Sequence, residues 1–372
     1  MERELFEIPD DVAYLNCAYM APQLRAVTAA GLDAVRGKAT PWAVSPADFF
    51  TCSEMLRSEF AALVGATADA IALVPSASYG LATAAANLPI GDGRTVVILE
   101  GEFPSNVYIW RECARTQHGS VVTVPRPSDD DWTTALLATI DERTAIVAVP
   151  QCHWTDGSLV DLARVGEAAR AVGAALVVDA TQSLGAMPLD LAAVRPDFLV
   201  AAGYKWLLGP YSLGYLYVDE SRRDGRPLEH NWIARAGSDD FARLVDYADE
   251  FAPGARRFDV GERSNFVLVP MALAALQQLA SWTVPVVAAT IGALTERVAT
   301  GASSLGYRAS PARLRGPHML GLRAVSGVPP GLGARLAGER VHVSVRGDSI
   351  RVSPHVYNTT EDVDRLLAAL DC

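Results

Sequence analysis

The sequence predicts an α/β fold, a large domain on a mostly parallel sheet followed by a smaller α+β C-terminal domain. Three observations carry that expectation. Short β-branched runs, apolar throughout, recur between residues 70 and 202. Alanine-rich segments of helical spacing separate several of them. Beyond about residue 250 the pattern changes to two long helices and then to short alternating strands. Strands apolar on both faces belong to parallel sheets covered by helices on either side.

In chain order, "FFTCSEMLRSEFAALVG" has helical periodicity and stops at Gly65. The runs "AIALVPS", "TVVILEG", "SVVTVP", "TAIVAVP", "ALVVDAT" and "DFLVAA" read as strands. "YGLATAAANL" and "LARVGEAARAVGA" read as helices between them, and "GYLYV" at 214–218 adds a strand after the tight "GPYSLG" turn. "VPMALAALQQLASW" and the stretch 285–305 are two long helices. "HMLGLRAV", "VHVSVRG" and "SIRVSP" alternate as antiparallel strands do, with "RGDS" as a hairpin turn. "TEDVDRLLAAL" is a capped amphipathic helix. The division expected is a large domain over 21–260 and a small one over 261–372, with 1–20 packing against the latter.

Composition excludes several functions. With 372 residues and a net charge of −11, the chain lacks the basic surface that nucleic acid requires. The cysteines at 17, 52, 113, 152 and 372 are scattered, with no CxxC pair, and the six histidines show no HExxH spacing. No metal site is expected, and the thiols fit a reduced compartment. No apolar run approaches a membrane span, and "MERELFEIPDD" is too acidic for a signal peptide. A soluble cytoplasmic protein is the expectation.

The chemistry concentrates where predicted strands end, the edge at which open α/β sheets bind ligands. Lysine occurs only at 38 and 205, and Lys205 sits in the apolar "AAGYKWLLGP". Arginine stays charged when buried, whereas lysine can lose its proton and become a nucleophile. The plainer alternative is a buried stem with its ammonium in water. Asp179 closes the apolar run "ALVVD", where an unpaired carboxylate is costly. Ser76, Ala77 and Ser78 fall between a strand and a helix, where small residues and the helix dipole suit a phosphate, or where Ser76 is simply a cap. A phosphate cradle, a carboxylate for a pyridine nitrogen and an amine for an aldehyde are together what pyridoxal phosphate requires.

The stretch "VVDATQSLGAMPLDLAAVRPDFLVAAGYKWLLGPYSLGYLYV" closely resembles the core of the class V aminotransferase family of pyridoxal phosphate enzymes. "YLNCAYMAP", "SASYGL", "EGEFPSNVYIW", "VPQCHWTDG" and "IRVSPHVYNTTEDVDRLLAAL" extend the resemblance over nearly the whole chain. It implies a fold-type I enzyme with a seven-stranded sheet and a Schiff base on Lys205, with Asp179 on the ring nitrogen. It further implies cofactor contacts from Ala77, Ser78, Phe103, Gln151, Gln182 and Tyr204, and substrate contacts from Arg351 and Asn16. Ser264, in "ERSN", resembles the segment that reaches the partner subunit's phosphate, which implies a homodimer with shared active sites.

Departures from the family bear on the reaction. Phe103 and Tyr204 stand where many relatives have histidine, and Ala202 where some have a hydroxyl. No cysteine occurs between Cys152 and Cys372, which disfavours a persulfide-forming desulfurase unless Cys372 substitutes. His153, His318 and His355 are candidate second acids or bases, although structural roles suit lone histidines better. The expected activity is α-carbon chemistry on an amino acid, with transamination first. A carbon–sulfur lyase working by β-elimination is second and an epimerase third. A non-enzymatic cofactor-binding protein is the alternative of another class.

Overall fold

The computed structural model describes residues 2–324 and 327–371, so Cys372 lies outside it. Thirteen strands appear in chain order: β1 (Ala13–Tyr14), β2 (Ile71–Val74), β3 (Thr95–Leu99), β4 (Ser120–Val124), β5 (Thr144–Pro150), β6 (Ala175–Asp179) and β7 (Phe198–Ala202). There follow β8 (Gly214–Val218), β9 (Tyr307–Arg308), β10 (Leu320–Ala324), β11 (Val341–His342), β12 (Ser344–Arg346) and β13 (Ser349–Val352).

Seven of these form the central sheet, in the order β2-β8-β7-β6-β5-β3-β4. Every pairing from β7 to β4 is parallel, and β8 alone runs antiparallel to its neighbours β2 and β7. The strands β2, β3, β5, β6 and β7 are buried at every position, as apolar runs on a doubly covered sheet are expected to be. Two hydrophobic clusters occupy the two faces. One contains Leu73, Val97, Val147 and Val178, the other Ala72, Val96, Ile146 and Val177. Alternate residues of one strand thus serve opposite layers.

The small domain carries a four-stranded antiparallel sheet, β12-β13-β10-β9. Its core joins Leu320, Leu322, Ile350 and Val352 to Leu294 and Val298 of the helix Val284–Ser304 and to Val363 and Leu366 of the helix Thr360–Leu370. The N-terminal segment belongs here too. β1 runs parallel to β11, and Ala13 and Leu15 are buried in the same cluster.

The helix Leu268–Trp282 buries Val269, Ala272, Ala275, Leu276 and Leu279 in the large-domain core. A 78° bend then separates it from Val284–Ser304, through Thr283 at φ +64°. The two helices look alike in sequence because both are apolar, and what each packs against depends on that bend. Among the described residues no single helix is long and apolar enough to cross a membrane.

Two turns at the carboxyl edge lock each other. After β6, Gln182 accepts a hydrogen bond from Trp206 Nε1 at 3.0 Å through its Oε1. Gly185, at φ +95°, lies against the Trp206 carbonyl so closely that a Cβ would collide with it. A positive φ and a backbone contact both require glycine there. Gly185→Ala is expected to destabilise the fold by about 2 kcal/mol and to loosen the turn that carries Lys205. A lower melting temperature together with weaker retention of pyridoxal phosphate would show it.

Candidate active site

The parallel order of β6 and β7 brings Asp179, the last residue of β6, to the same edge as the turn that follows β7 and holds Lys205. A cavity of about 290 Å³ opens at this edge, lined by Ser76, Ala77, Ser78, Glu102, Phe103, Ser105, Asp179, Thr181, Gln182, Tyr204 and Lys205 among others. A second cavity of about 300 Å³ shares Phe103, Trp154, Gln182, Tyr204, Lys205 and Tyr211 with the first. It adds Tyr19, Met20, Arg346 and Arg351. Lys205 therefore faces both a sheet-edge chamber and a chamber walled by the small domain.

Burial sets the charges in this space. It pulls the Lys205 amine down from 10.5 to about 8, against the opposing pull of Asp179, and Arg351 and Arg346 depress it further. It pushes the Asp179 carboxyl up, an effect countered by hydrogen bonds from Thr181 and by the Lys205 charge. Asp179 Oδ1 accepts from the Thr181 N–H at 2.9 Å, and neither Asp179 nor Lys205 makes an ion pair among the described residues. Low dielectric moves both groups toward neutrality unless a partner compensates them.

The remaining predicted residues divide. Ala77 and Ser78 open the helix Ala77–Asn87, whose cap Ser76 accepts from Tyr79 N–H at 3.1 Å. Ser78 shares a 2.7 Å hydroxyl contact with Ser105, the first residue of the helix Ser105–Thr116. Two helix starts and three hydroxyls thus meet at one end of the cavity. Phe103 lies with its ring centroid 5.5 Å from Lys205 Nζ and edge-on to Trp154. Tyr204 lies at the same distance from Nζ and packs on Tyr211. Gln182 lines the cavity, but its amide is engaged by Trp206 and by the Ala18 carbonyl.

Three predicted residues lie outside both cavities. Gln151 donates from Nε2 to the Pro188 carbonyl at 3.1 Å, while Pro150 and Cys152 on either side face the chamber. Asn16 accepts from Ser344 Oγ at 2.9 Å and bridges to Ser353, so it ties the N-terminal segment to the small domain. Ser264 donates to the Phe49 carbonyl of its own chain.

Conversely, the sequence reading passed over Glu102, Thr181, Ser105, Trp154 and Arg346. Glu102 is buried and pushed up to about 8 by burial, with Asp179 adding to the shift. Its Oε1 accepts from the Phe103 N–H at 2.6 Å, and its Oε2 is buried without a partner. The signal was a carboxylate just past the apolar run "TVVILEG", the same pattern that marks Asp179.

Residues 46–230 match the model described as "Aminotransferase class-V". Over 336 residues the chain is 27% identical to the "Uncharacterized aminotransferase YcbU" of Bacillus subtilis, covering 84% of this chain and 81% of that one. It is 30% identical to the kynureninase of Deinococcus radiodurans, over 70% of this chain and 64% of the other. A solved C-DES variant with glycine covalently linked to its PLP cofactor superposes with a TM-score of 0.90 at 19% identity, over 100% of this chain and 99% of that chain. The chain is a pyridoxal phosphate-dependent enzyme of the class V aminotransferase type.

The residues present fit that cofactor. A buried carboxylate without an ion pair awaits a cation, which a protonated pyridine nitrogen would supply. The hydroxyls and N–H groups of two helix starts suit a phosphate, Lys205 suits the aldehyde, and the Phe103 face suits the ring. The three histidines do not line the chamber. His153 stacks on Trp132, His318 contacts the Gln182 carbonyl at 2.5 Å, and His355 stacks beside Trp206. Burial pulls them down to about 4, 4 and 3 respectively, so their roles are structural. Among the described cysteines only Cys152 reaches the cavity, and burial pushes its thiol far up, away from the thiolate a sulfur carrier needs.

Because Lys205 titrates lower in the fold than its ordinary 10.5, the unfolded chain binds more protons between pH 8 and 10.5. Stability of the cofactor-free enzyme is therefore expected to rise as pH increases through that window. Denaturation of wild type and Lys205→Met from pH 7 to 10.5 would test this, with the rise smaller in the variant. Lys205→Met is also expected to lose borohydride-stable attachment of pyridoxal phosphate.

Proposed function

We propose that the enzyme transforms an amino acid at its α-carbon, and that the reaction is transamination. The α-carbon reading rests on one observation, the unpartnered edge of Arg351 in the chamber shared with Lys205. Arg351 is buried on β13, and Nη1 is held by the Trp154 carbonyl at 2.7 Å while Nε has no partner. That leaves the Nε and Nη2 edge to receive a carboxylate in bidentate fashion. Burial lowers Arg351 to about 10, with Arg346 adding repulsion, so an incoming anion is strongly favoured.

A substrate anchored there by its α-carboxylate presents its amine and α-carbon toward Lys205. When bound, pyridoxal phosphate supplies a ring that withdraws electrons from that carbon. Asp179 would hold the ring nitrogen protonated through a buried charge pair. Lys205 Nζ, lowered to about 8, can take a proton from the α-carbon near neutral pH and return it elsewhere. No histidine lines the chamber among the described residues, so the proton traffic rests on this amine.

The homodimer belongs to the same proposal. Phe49, Trp232, Phe241 and Phe266 form one aromatic cluster, with Trp232 and Phe266 exposed. Such a patch suits a second copy, and Ser264, bonded to Phe49, lies beside it. Sedimentation as a monomer at micromolar concentration would exclude it.

To test the reaction, the loaded enzyme is given amino acids with and without a 2-keto acid acceptor. Acceptor-dependent keto-acid formation is expected, with Arg351→Gln raising KM by about 10- to 100-fold. Acceptor-independent release of ammonia and thiol would assign a lyase instead. Deuterium uptake with inversion would assign an epimerase.

A further inference from the structure

Three arginines share one face of the small-domain sheet. Ser344 pairs with Arg351 and Arg346 with Ser349, while Gly321 also pairs with Arg351, which places Arg323 beside Ser349. Alternation along each strand then puts Arg323, Arg346 and Arg351 on the same side. Their surroundings differ in charge. Arg323 is neutralised by Asp156, by Asp130 at 3.3 Å and by Asp348 at 3.7 Å. Arg346 and Arg351 have no carboxylate within ion-pair distance among the described residues.

Neutral groups of one residue hold both instead. Arg351 donates to the Trp154 carbonyl at 2.7 Å, and the Arg346 guanidinium lies 5.7 Å from the centroid of the Trp154 ring. Among the described residues Arg346 otherwise donates only to the carbonyl of Val345, and its Nε is buried without a partner. Both line the chamber that reaches Lys205. Diagonal neighbours on paired strands sit roughly 7–8 Å apart. Two unneutralised guanidinium groups carried by such neighbouring positions repel each other and are poorly compensated, a costly arrangement unless a ligand brings two negative groups.

We infer that Arg346 is a specificity residue and that the substrate is a dicarboxylic amino acid, its α-carboxylate on Arg351 and its distal carboxylate on Arg346. This rests on the assignment of Arg351 to the α-carboxylate. Aspartate and glutamate carry a second carboxylate a few bonds from the first, and Trp154, which also lines this chamber, is available to their methylenes. A neutral side chain leaves Arg346 unneutralised and is disfavoured.

Calorimetric titration of the cofactor-loaded enzyme with glutarate, succinate and butyrate tests this, because these acids carry no amine and do not react. A diacid is expected to bind wild type at least about tenfold more tightly than butyrate, and Arg346→Gln to remove that preference by weakening the diacid alone. Arg346→Lys, which keeps the charge but not the fork, is expected to retain part of it. Equal affinities in wild type, or a preference that survives Arg346→Gln, would overturn the inference. So would an equal loss for both kinds of acid in that variant, since that marks a purely structural role. Failure of the α-carboxylate assignment is read separately, as Arg351→Gln leaving butyrate binding unchanged.

Discussion

Asp179 and Lys205 are held together in a space that favours the charge of neither, and the large domain is organised around that fact. Parallel strands must all end at one edge, so β6 and β7 deliver their terminal residues side by side. The sheet behind them is apolar on both faces and excludes water. Burial raises the carboxyl and lowers the amine. Each group is left with a strong preference for a partner that the protein itself does not supply. A cofactor with a basic ring nitrogen and an aldehyde answers both, which is why the site is costly without it.

Keeping that geometry requires rigid turns. The turn after β6 and the turn after β7 interlock through Gln182, Trp206 and Gly185, and His318 braces the Gln182 carbonyl from the small domain. The domains are joined again at the rim of the chamber. Asp156, on the loop after β5, is fully buried and binds Arg126 of the large domain at 2.8 Å and Arg323 of the small one. A buried carboxylate between two guanidinium groups fixes the approach of β10 and β13. Arg351 and Arg346 are positioned by that contact and by Trp154 on the same loop, so the substrate chamber is assembled at the domain junction.

The fold was legible because its signals are local. Six apolar runs in the large domain, the "GYLYV" strand and the late alternating strands all became sheet, since strands buried on both faces and strands with alternating burial each leave a short-range pattern. Lys205 and Asp179 were legible for a related reason, as charges at the ends of apolar runs. Glu102 obeyed the same rule and was overshadowed by its neighbour Phe103. Gln151 was placed in the site by resemblance, and just past β5 its amide donates to the Pro188 carbonyl. The helices Leu268–Trp282 and Val284–Ser304 are both apolar, and nothing in their sequence marks the core that each enters.

Residue order alone was sufficient for the class of fold and the cofactor, and it singled out Lys205 and Asp179, which the sheet edge brings to one cavity. These follow from periodicity and from the expense of isolated charge in apolar segments, properties read over a few residues at a time. The shape and charge of the substrate chamber depend on contacts between residues far apart in the chain, such as Trp154 with Arg346 and Arg351. Whether an arginine is neutralised, as Arg323 is, or left open to a ligand, as Arg346 and Arg351 are, depends on which distant carboxylates the packed domains bring near. That pairing is settled by assembly in three dimensions, and no local pattern records it.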